Sequence, residues 1–345
     1  MKKIKIAVIG INHDHGLLNL QVILSLSEFF ELVGYAIPKD DKESGQKKIC
    51  QELGLKEYTL DELFSIPDLE AVAVETYDLN LVKYAQMAAD RGLHVFMDKP
   101  GSQESEDFER MLSTLKRKGK IFSIGYMYRF NEAVKELFSE VKAGKLGEIY
   151  SVEAQMNCDH SAVKREWLKD FKGGMTFYLG CHLVDLIYTF QGMPEEIIPY
   201  NGNTGLFGVT SKDFGFAVFK YKNGVSFLKT TACEPGGFER RQLVVCGSLG
   251  TVELKPLEWS EGGVFQTKRR EFLKNDGEKQ SEWWKSGENR AVVTKDRYQG
   301  MLIDFAQKIR LKGMSDDEYE GEARVHRMVL VASGIDCDYK GEIIL

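Results

Sequence analysis

The chain has 345 residues, 43% hydrophobic and 28% charged, an ordinary composition for a soluble globular protein long enough to build two cores. A formal net charge of -6 excludes the broad positive surface that a nucleic-acid partner requires. Six cysteines without CxxC spacing suit reduced thiols in the cytoplasm, and no apolar run reaches the length of a membrane span.

Met1-Lys2-Lys3-Ile4 resembles the start of a secretion signal, but the apolar run stops at Ile11 and Asn12-His13-Asp14-His15 follows. It therefore reads as a first strand, Ile4 to Ile9, closed by Gly10. Leu17 to Phe30 is a strongly apolar helix, and Glu31 to Ile37 a second strand closed by Pro38. A weaker helix follows from Glu43 to Leu53. Thr59-Leu60-Asp61-Glu62 matches a capping box that starts a short helix. Leu69 to Val74 is an apolar strand, and Leu81 to Arg91 a helix stopped by Gly92. The run His94 to Asp98 alternates like a short strand, and Pro100, lacking an N–H, ends it. A helix from about Glu104 to Lys118 and a strand from Ile121 to Gly125 complete the pattern. Alternating strands and helices in this order predict a doubly wound parallel sheet over residues 1–125.

Ligands bind at the carboxyl ends of the strands in such a sheet. Asp98 and Lys99 stand at one of these ends, where they serve either chemistry or a solvated ion pair. The opening strand, turn and helix have the dinucleotide-binding order, in which a helix N-terminus meets a pyrophosphate. The G-x-G-x-x-G fingerprint would read Gly10, Asn12 and His15, with Gly16 one place late. Strand two ends in Ile37-Pro38-Lys39-Asp40 rather than in the acid that holds a ribose. Lys39 could meet a 2′-phosphate, which leans towards NADP, or could belong to a mixed surface loop. His13 and His15 invite a metal reading, but spacing identifies no further ligand, so no metal is expected.

Asn131 to Lys142 is an amphipathic helix, and Glu148 to Asn157 an alternating strand with Tyr150, Val152, Ala154 and Met156 on one face. Strand-like runs recur at Phe214–Tyr221, Val225–Cys233, Gln242–Cys246 and Thr251–Leu254, which predicts a second, antiparallel domain over 126–345. Glu261 to Lys295 is polar, contains Trp283 and Trp284, and reads as a long hairpin or an excursion over a site. Helices are expected at about Asp296 to Leu311 and Glu322 to Cys337, with Glu342 to Leu345 as a closing strand. One helix interrupts the sheet pattern. After Gly173-Gly174, the run Met175 to Phe190 carries Tyr178, His182, Asp185 and Thr189 on one face. Asp185 could hold the His182 tautomer for proton transfer near neutral pH. A core histidine bonded to Asp185 accounts for the same spacing.

Together these residues resemble the oxidoreductases grouped with glucose–fructose oxidoreductase, inositol dehydrogenase and MocA. Asp98-Lys99-Pro100 is similar to the family's Glu-Lys-Pro. Gly173-Gly174 through Tyr178, Gly180, His182 and Asp185 is similar to its GG-x(3)-D-x-G-x-H-x-x-D helix. Tyr128-Arg129-Phe130 and Lys145-Leu146-Gly147-Glu148-Ile149 match its domain junction. The resemblance implies an N-terminal Rossmann-type α/β domain and a C-terminal α+β domain with a large, mostly antiparallel open sheet. That sheet would join a homodimer or homotetramer.

The resemblance also implies NAD or NADP as cofactor, and hydride transfer to or from a sugar, polyol or related carbonyl compound. Gly10, Ile11, Asn12, His13, Lys39, Thr76, Tyr77, Asp98 and Lys99 would border the cofactor, with Asp98 reaching its nicotinamide side. Lys99 would bind or help deprotonate the reacting hydroxyl, its pKa lowered by desolvation beside a cationic ring. His182 would exchange the proton, with Tyr178 and Asp185 beside it. The sequence departs from the family pattern at the second and third fingerprint glycines and at the acid after strand two. It departs again at Thr76-Tyr77, where Thr-Pro is usual, and at Tyr178, where aspartate is usual. A protein that binds a nucleotide or sugar as a sensor, without turnover, is the alternative these departures raise.

Overall fold

The computed structural model describes residues 2–41, 46–274, 287–343 and 345. The chain divides into two units. The first is built on β1 (Ile4–Ile9), α1 (Gly16–Ser25), β2 (Phe30–Ala36), α2 (Gln46–Glu52), β3 (Glu57–Tyr58), α3 (Leu60–Phe64), β4 (Ala71–Val74), α4 (Leu81–Asp90), β5 (His94–Met97), α5 (Ser105–Arg117) and β6 (Phe122–Ile124). Its six described strands run parallel in the order β3-β2-β1-β4-β5-β6. The order reverses between β1 and β4, and this is where an open α/β sheet leaves a crevice for a ligand. β4 is apolar and buried at every position because helices cover both faces of the sheet. The capping box at Thr59 forms as expected: Glu62 N–H donates to Thr59 Oγ1 at 3.3 Å, and Thr59 N–H donates to Glu62 Oε2 at 2.8 Å. α1 stops at Ser25, short of the expected Phe30, because Phe30 already pairs with Ile4 as the first residue of β2.

The second unit comprises α6 (Glu132–Lys142), β7 (Ile149–Asn157), α7 (Ala162–Trp167), a π-helical turn (Thr176–Gly180) leading into α8 (Cys181–Gln191), and β8 (Glu196–Pro199). It continues with β9 (Phe214–Tyr221), β10 (Gly224–Thr231), β11 (Gln242–Gly247), β12 (Gly250–Leu254), β13 (Trp259–Glu261), β14 (Val264–Leu273) and β15 (Glu288–Thr294). The sheet runs β13-β14-β12-β11-β7-β10-β9-β8, with β15 also on β14. β7 and β10 are parallel, and the other described pairs are antiparallel. Val152, Ala154 and Met156 of β7 are buried as expected, whereas Tyr150, at the start of the strand, is exposed. The polar stretch after Glu261 forms the β14–β15 hairpin. Trp283 and Trp284 lie outside the described residues.

The chain then returns to the first unit with α9 (Gln299–Gln307) and the opening of α10 (Asp316–Ala332). Phe305 of α9 packs its ring 6.1 Å from Phe96 of β5. Residues 298–326 and 340–345 thus belong with 1–127. This differs from a single boundary at 125/126, because the apolar face of a helix does not state which sheet it covers. α10 begins six residues before the expected Glu322. Ser315 and Glu318 form a second reciprocal cap there, with Ser315 N–H donating to Glu318 Oε2 at 2.8 Å. Residues 341–343 form no strand, contrary to expectation.

Candidate functional site

The β1–α1 turn is built around two glycines. Gly10 has φ of 78°, and a Cβ there would lie 2.6 Å from Thr76 Cα, so only glycine fits. A Cβ on Gly16 would meet Glu75 Cβ and the Ile11 carbonyl oxygen at 3.2 Å. The close helix–strand approach therefore falls at Gly16 instead of His15. That single-residue extension explains how His15 occupies the third position of the fingerprint. Between these glycines the Asn12 and His13 amides both donate to the Glu75 carbonyl at 3.0 Å, and the Ile11 side chain is buried.

A polar cluster lies beneath this turn. Neither His13 nor Glu75 has measurable exposure, and Asp98, Lys99 and Asp78 are at most 4% exposed. His13 Nε2 donates to the Lys99 carbonyl at 3.1 Å and lies 3.3 Å from Asp78 Oδ1. His13 Nδ1 is 3.1 Å from Asp98 Oδ2, and His15 Nδ1 is 3.2 Å from the same oxygen. Asn19 Nδ2 donates to both Glu75 Oε1 at 2.9 Å and Asp98 Oδ2 at 3.1 Å. The Lys99 amide donates to Asp98 Oδ1 at 2.7 Å. Asp98 is thus engaged beneath the turn by His13, His15, Asn19 and the Lys99 amide.

These charges set each other. Burial opposes ionisation of His13, but Asp98 and then Asp78 outweigh it and push the imidazole up to about 10. Burial likewise works against the Asp98 carboxylate, which His13 and His15 hold well below its usual range. Burial lowers His15, and Asp98 only partly offsets this. One carboxylate supports one imidazolium more readily than two. Burial, with Asp98 next, pushes Glu75 well above the usual carboxylate range.

Three other expected cofactor residues fall at neighbouring strand ends. Thr76 is buried against Gly10, and Tyr77 follows it at the end of β4. Lys39 is exposed beyond β2. Asp41, in the turn after β2, is buried, and its Oδ1 accepts from the Tyr77 amide at 3.0 Å. Asp40 pairs with Lys83 at 2.6 Å and bonds to Tyr84.

The second unit holds the helix stripe. Gly174 has φ of 55°, and a Cβ there would lie 2.2 Å from the Lys212 carbonyl oxygen. A Cβ on Gly173 would lie 2.4 Å from Ser333 Cβ. The chain then makes its π turn, which inserts an extra residue into the helical register. Tyr178 is consequently rotated relative to the stripe expected of an uninterrupted α-helix. Its ring packs 5.2 Å from Trp167 and 5.8 Å from Phe171, and Lys164 Nζ lies 5.3 Å from it. His182 lies in the first turn of α8, 3% exposed, with its ring 5.4 Å from Tyr128 and edge-on to it.

Asp185 lies in the next turn, and its Oδ1 accepts from Arg129 Nε at 2.8 Å. Sequence reasoning treated Tyr128-Arg129 as a junction motif and missed this support. The Tyr128 hydroxyl donates to Glu258 Oε1 at 2.6 Å. Glu258 also takes Arg241 at 3.2 Å and, through Oε2, Arg297 Nε at 2.7 Å. Burial and then Glu258 push the Tyr128 phenol up to about 12. Lys99 belongs to the first unit, and His182, Asp185 and Tyr178 to the second.

Comparison with known proteins agrees with both halves. Residues 4–126 match the oxidoreductase-family domain described as an NAD-binding Rossmann fold, and residues 139–333 match that family's C-terminal alpha/beta domain. A 2,7-anhydro-N-acetylneuraminate hydratase of Mediterraneibacter gnavus is 31% identical over 167 residues, 47% of this chain and 44% of that protein. A D-xylose 1-dehydrogenase (NADP(+)) of Haloferax volcanii is 25% identical over 188 residues, 53% of this chain and 57% of that protein. The chain thus aligns with about half the length of these curated relatives. A levoglucosan dehydrogenase solved with NADH and levoglucosan superposes with a TM-score of 0.77 at 16% identity, covering 96% of this chain and 97% of that one. This likeness shows the shared fold. No described helix is long and apolar enough to cross a membrane.

Proposed function

Because the chain belongs to the family of glucose–fructose oxidoreductase, inositol dehydrogenase and MocA, we propose that it is an NAD(P)-dependent oxidoreductase acting on a sugar, polyol or related carbonyl compound. The observation that carries this reading is the buried His182 on α8, one turn from an Asp185 that Arg129 holds in place. The β1–α1 turn fits a dinucleotide: Gly10 brings the backbone tight against Thr76, and α1 starts at Gly16 with its amides free of side-chain caps. Gly10, Ile11, Asn12, Thr76 and Tyr77 would border the cofactor, with His13 and Asp98 supporting the turn from beneath. Lys39 is the exposed cation that a 2′-phosphate would meet, and the Haloferax relative is named for NADP(+). When bound, the nicotinamide supplies the hydride acceptor or donor.

The chain's own residues bind and move the proton. Lys99 binds the reacting hydroxyl and favours its deprotonated form. His182 takes the proton on oxidation and returns it on reduction, work worth roughly 10²–10⁴ in rate. Tyr128, anchored by Glu258, backs the His182 ring and limits its rotation.

Titration with NADPH and NADH, followed by tryptophan fluorescence and melting temperature, tests the reading. Saturable binding, tighter for NADPH, followed by turnover in a sugar and polyol panel, is the expected result. No stabilisation by either nucleotide would sink it. A second reading rests on the 31% identical relative that is named a hydratase: a reaction in which the nicotinamide is returned to its starting state. Product formed without net change in NADH absorbance would single that out.

A further inference from the structure

His13, His15 and Asp98 each offer a metal-ligating atom, and these atoms all lie within 4.8 Å of one another. The two short edges, 3.1 Å and 3.2 Å, run from the histidine Nδ1 atoms to Asp98 Oδ2. Bonds of about 2.0–2.2 Å to a tetrahedral zinc place ligand atoms roughly 3.3 Å apart, so these edges need little adjustment. Hydrogen bonds have the same length, so a proton on His13 and a metal ion compete for one position.

Nε2 of His13 faces two acceptors, the Lys99 carbonyl at 3.1 Å and Asp78 Oδ1 at 3.3 Å, and so carries a proton whether the ring is charged or, with a metal bound, neutral. In the neutral ring Nδ1 carries the lone pair, in keeping with the His15 amide pointing at it from 3.2 Å. Nδ1 and a carboxylate oxygen 3.1 Å apart share a cation, either the proton of a charged imidazole or a metal ion that displaces it. The surroundings have the form of a second shell: a carbonyl and a carboxylate orient His13, and the Asn19 amide orients Asp98.

A further carboxylate lies buried beside this group. Glu75 is tied to Asp98 through Asn19, and its Oε2 has no hydrogen-bond partner. We propose that His13, His15, Asp98 and Glu75 form a site for one divalent transition-metal ion of the zinc class, which clamps the β1–α1 turn to the ends of β4 and β5. Two neutral imidazoles, two carboxylates and a dication sum to zero charge, the balance a buried site requires. Nitrogen and oxygen donors in this number suit zinc better than calcium or magnesium, which take oxygen ligands. The clamp would take over the turn-fixing work of the fingerprint glycines that the chain lacks. It stands independently of which substrate, or which nucleotide, the protein uses.

The test uses tag-free full-length chain stripped with a chelator and titrated with Co(II), then with Zn(II) in competition. Expected are one ion per chain, the visible absorption of tetrahedral Co(II), its loss on adding Zn(II), and a rise in melting temperature. His15→Ala and Glu75→Gln should each weaken binding at least tenfold, while His94→Asn, which alters a histidine elsewhere in the unit, should not. Absence of saturable 1:1 binding to the unaltered chain would overturn the proposal and leave the cluster held by a proton. Binding unchanged in both His15→Ala and Glu75→Gln would overturn it equally. The readouts are metal content and spectrum, so failure of the dinucleotide titration would leave the result intact.

Discussion

Lys99 is among the largest fully buried side chains, yet it stands at a strand end next to a buried acid. Packing alone would place a methionine there. Lys99→Met keeps the volume and removes the amine, so turnover should fall by about 10²–10⁴ while the melting temperature holds or rises. His182→Asn should cost a similar factor in kcat. A fully active Lys99→Met protein would remove the proposed mechanism.

A different residue contributes to stability against pH. Burial and then Lys120 push His94 down to about 4, and its Nδ1 accepts from the Ile121 amide at 2.9 Å. The folded chain therefore keeps His94 neutral where the unfolded chain, near 6.5, binds a proton. Between those values the unfolded state holds more protons, so stability rises with pH. The contribution is complete above about 6.5 and is lost as pH falls towards 4, at up to about 1.4 kcal/mol per pH unit. Urea melts across that window should show the slope, and His94→Asn, whose Oδ1 can still accept from Ile121, should reduce it.

Among elements, the glycine pair ahead of the π turn is the sharpest constraint. Gly174→Ala combines a left-handed backbone with a Cβ 2.2 Å from the Lys212 carbonyl oxygen. It should destabilise the chain by about 1–3 kcal/mol or more, read as a drop of several degrees in melting temperature. Much at this scale was legible from residue pattern alone. The apolar runs of β1 and β4, the Thr59 capping box and β9 announce themselves, since each depends on local periodicity or a local hydrogen bond. The π turn does not, because nothing in Thr176-Phe177-Tyr178-Leu179-Gly180 distinguishes it from the α-helix whose register it shifts. For the same reason the stripe of Tyr178, His182 and Asp185 was only partly readable. Arg129 and Glu258 lie 56 residues from Asp185 and 130 from Tyr128, respectively, and no spacing rule reaches that far. The His13–Asp98 contact closes over 85 residues of chain for the same reason that β1 and β5 reach one end of the sheet.

For the whole molecule, the sheet of the second unit carries an apolar patch on the outer side of β9 and β10, bordered by Lys220 and Lys229. Val218 pairs with Phe227 across β9 and β10, Phe216 stacks 5.7 Å from Phe227, and Val225 and Tyr200 are 47% and 57% exposed. Patches of this kind mark association surfaces. Light scattering on the purified chain should give two or four times the 39.2 kDa protomer, and Phe227→Glu should reduce it. A monomer at micromolar concentration would remove the assembly expected through this sheet.

The division of the chain has a consequence for its biosynthesis. The first unit is not finished when residue 127 leaves the ribosome, because 298–326 and 340–345 belong to it and Phe305 packs against Phe96. At roughly 5–20 residues per second, that unit waits on the order of ten seconds or more for α9, with β5 and β6 lacking a helix that covers them. The second unit interrupts it and completes most of its own strands first. A nascent chain arrested before Tyr298 should therefore engage chaperones more strongly than one extended through Leu345.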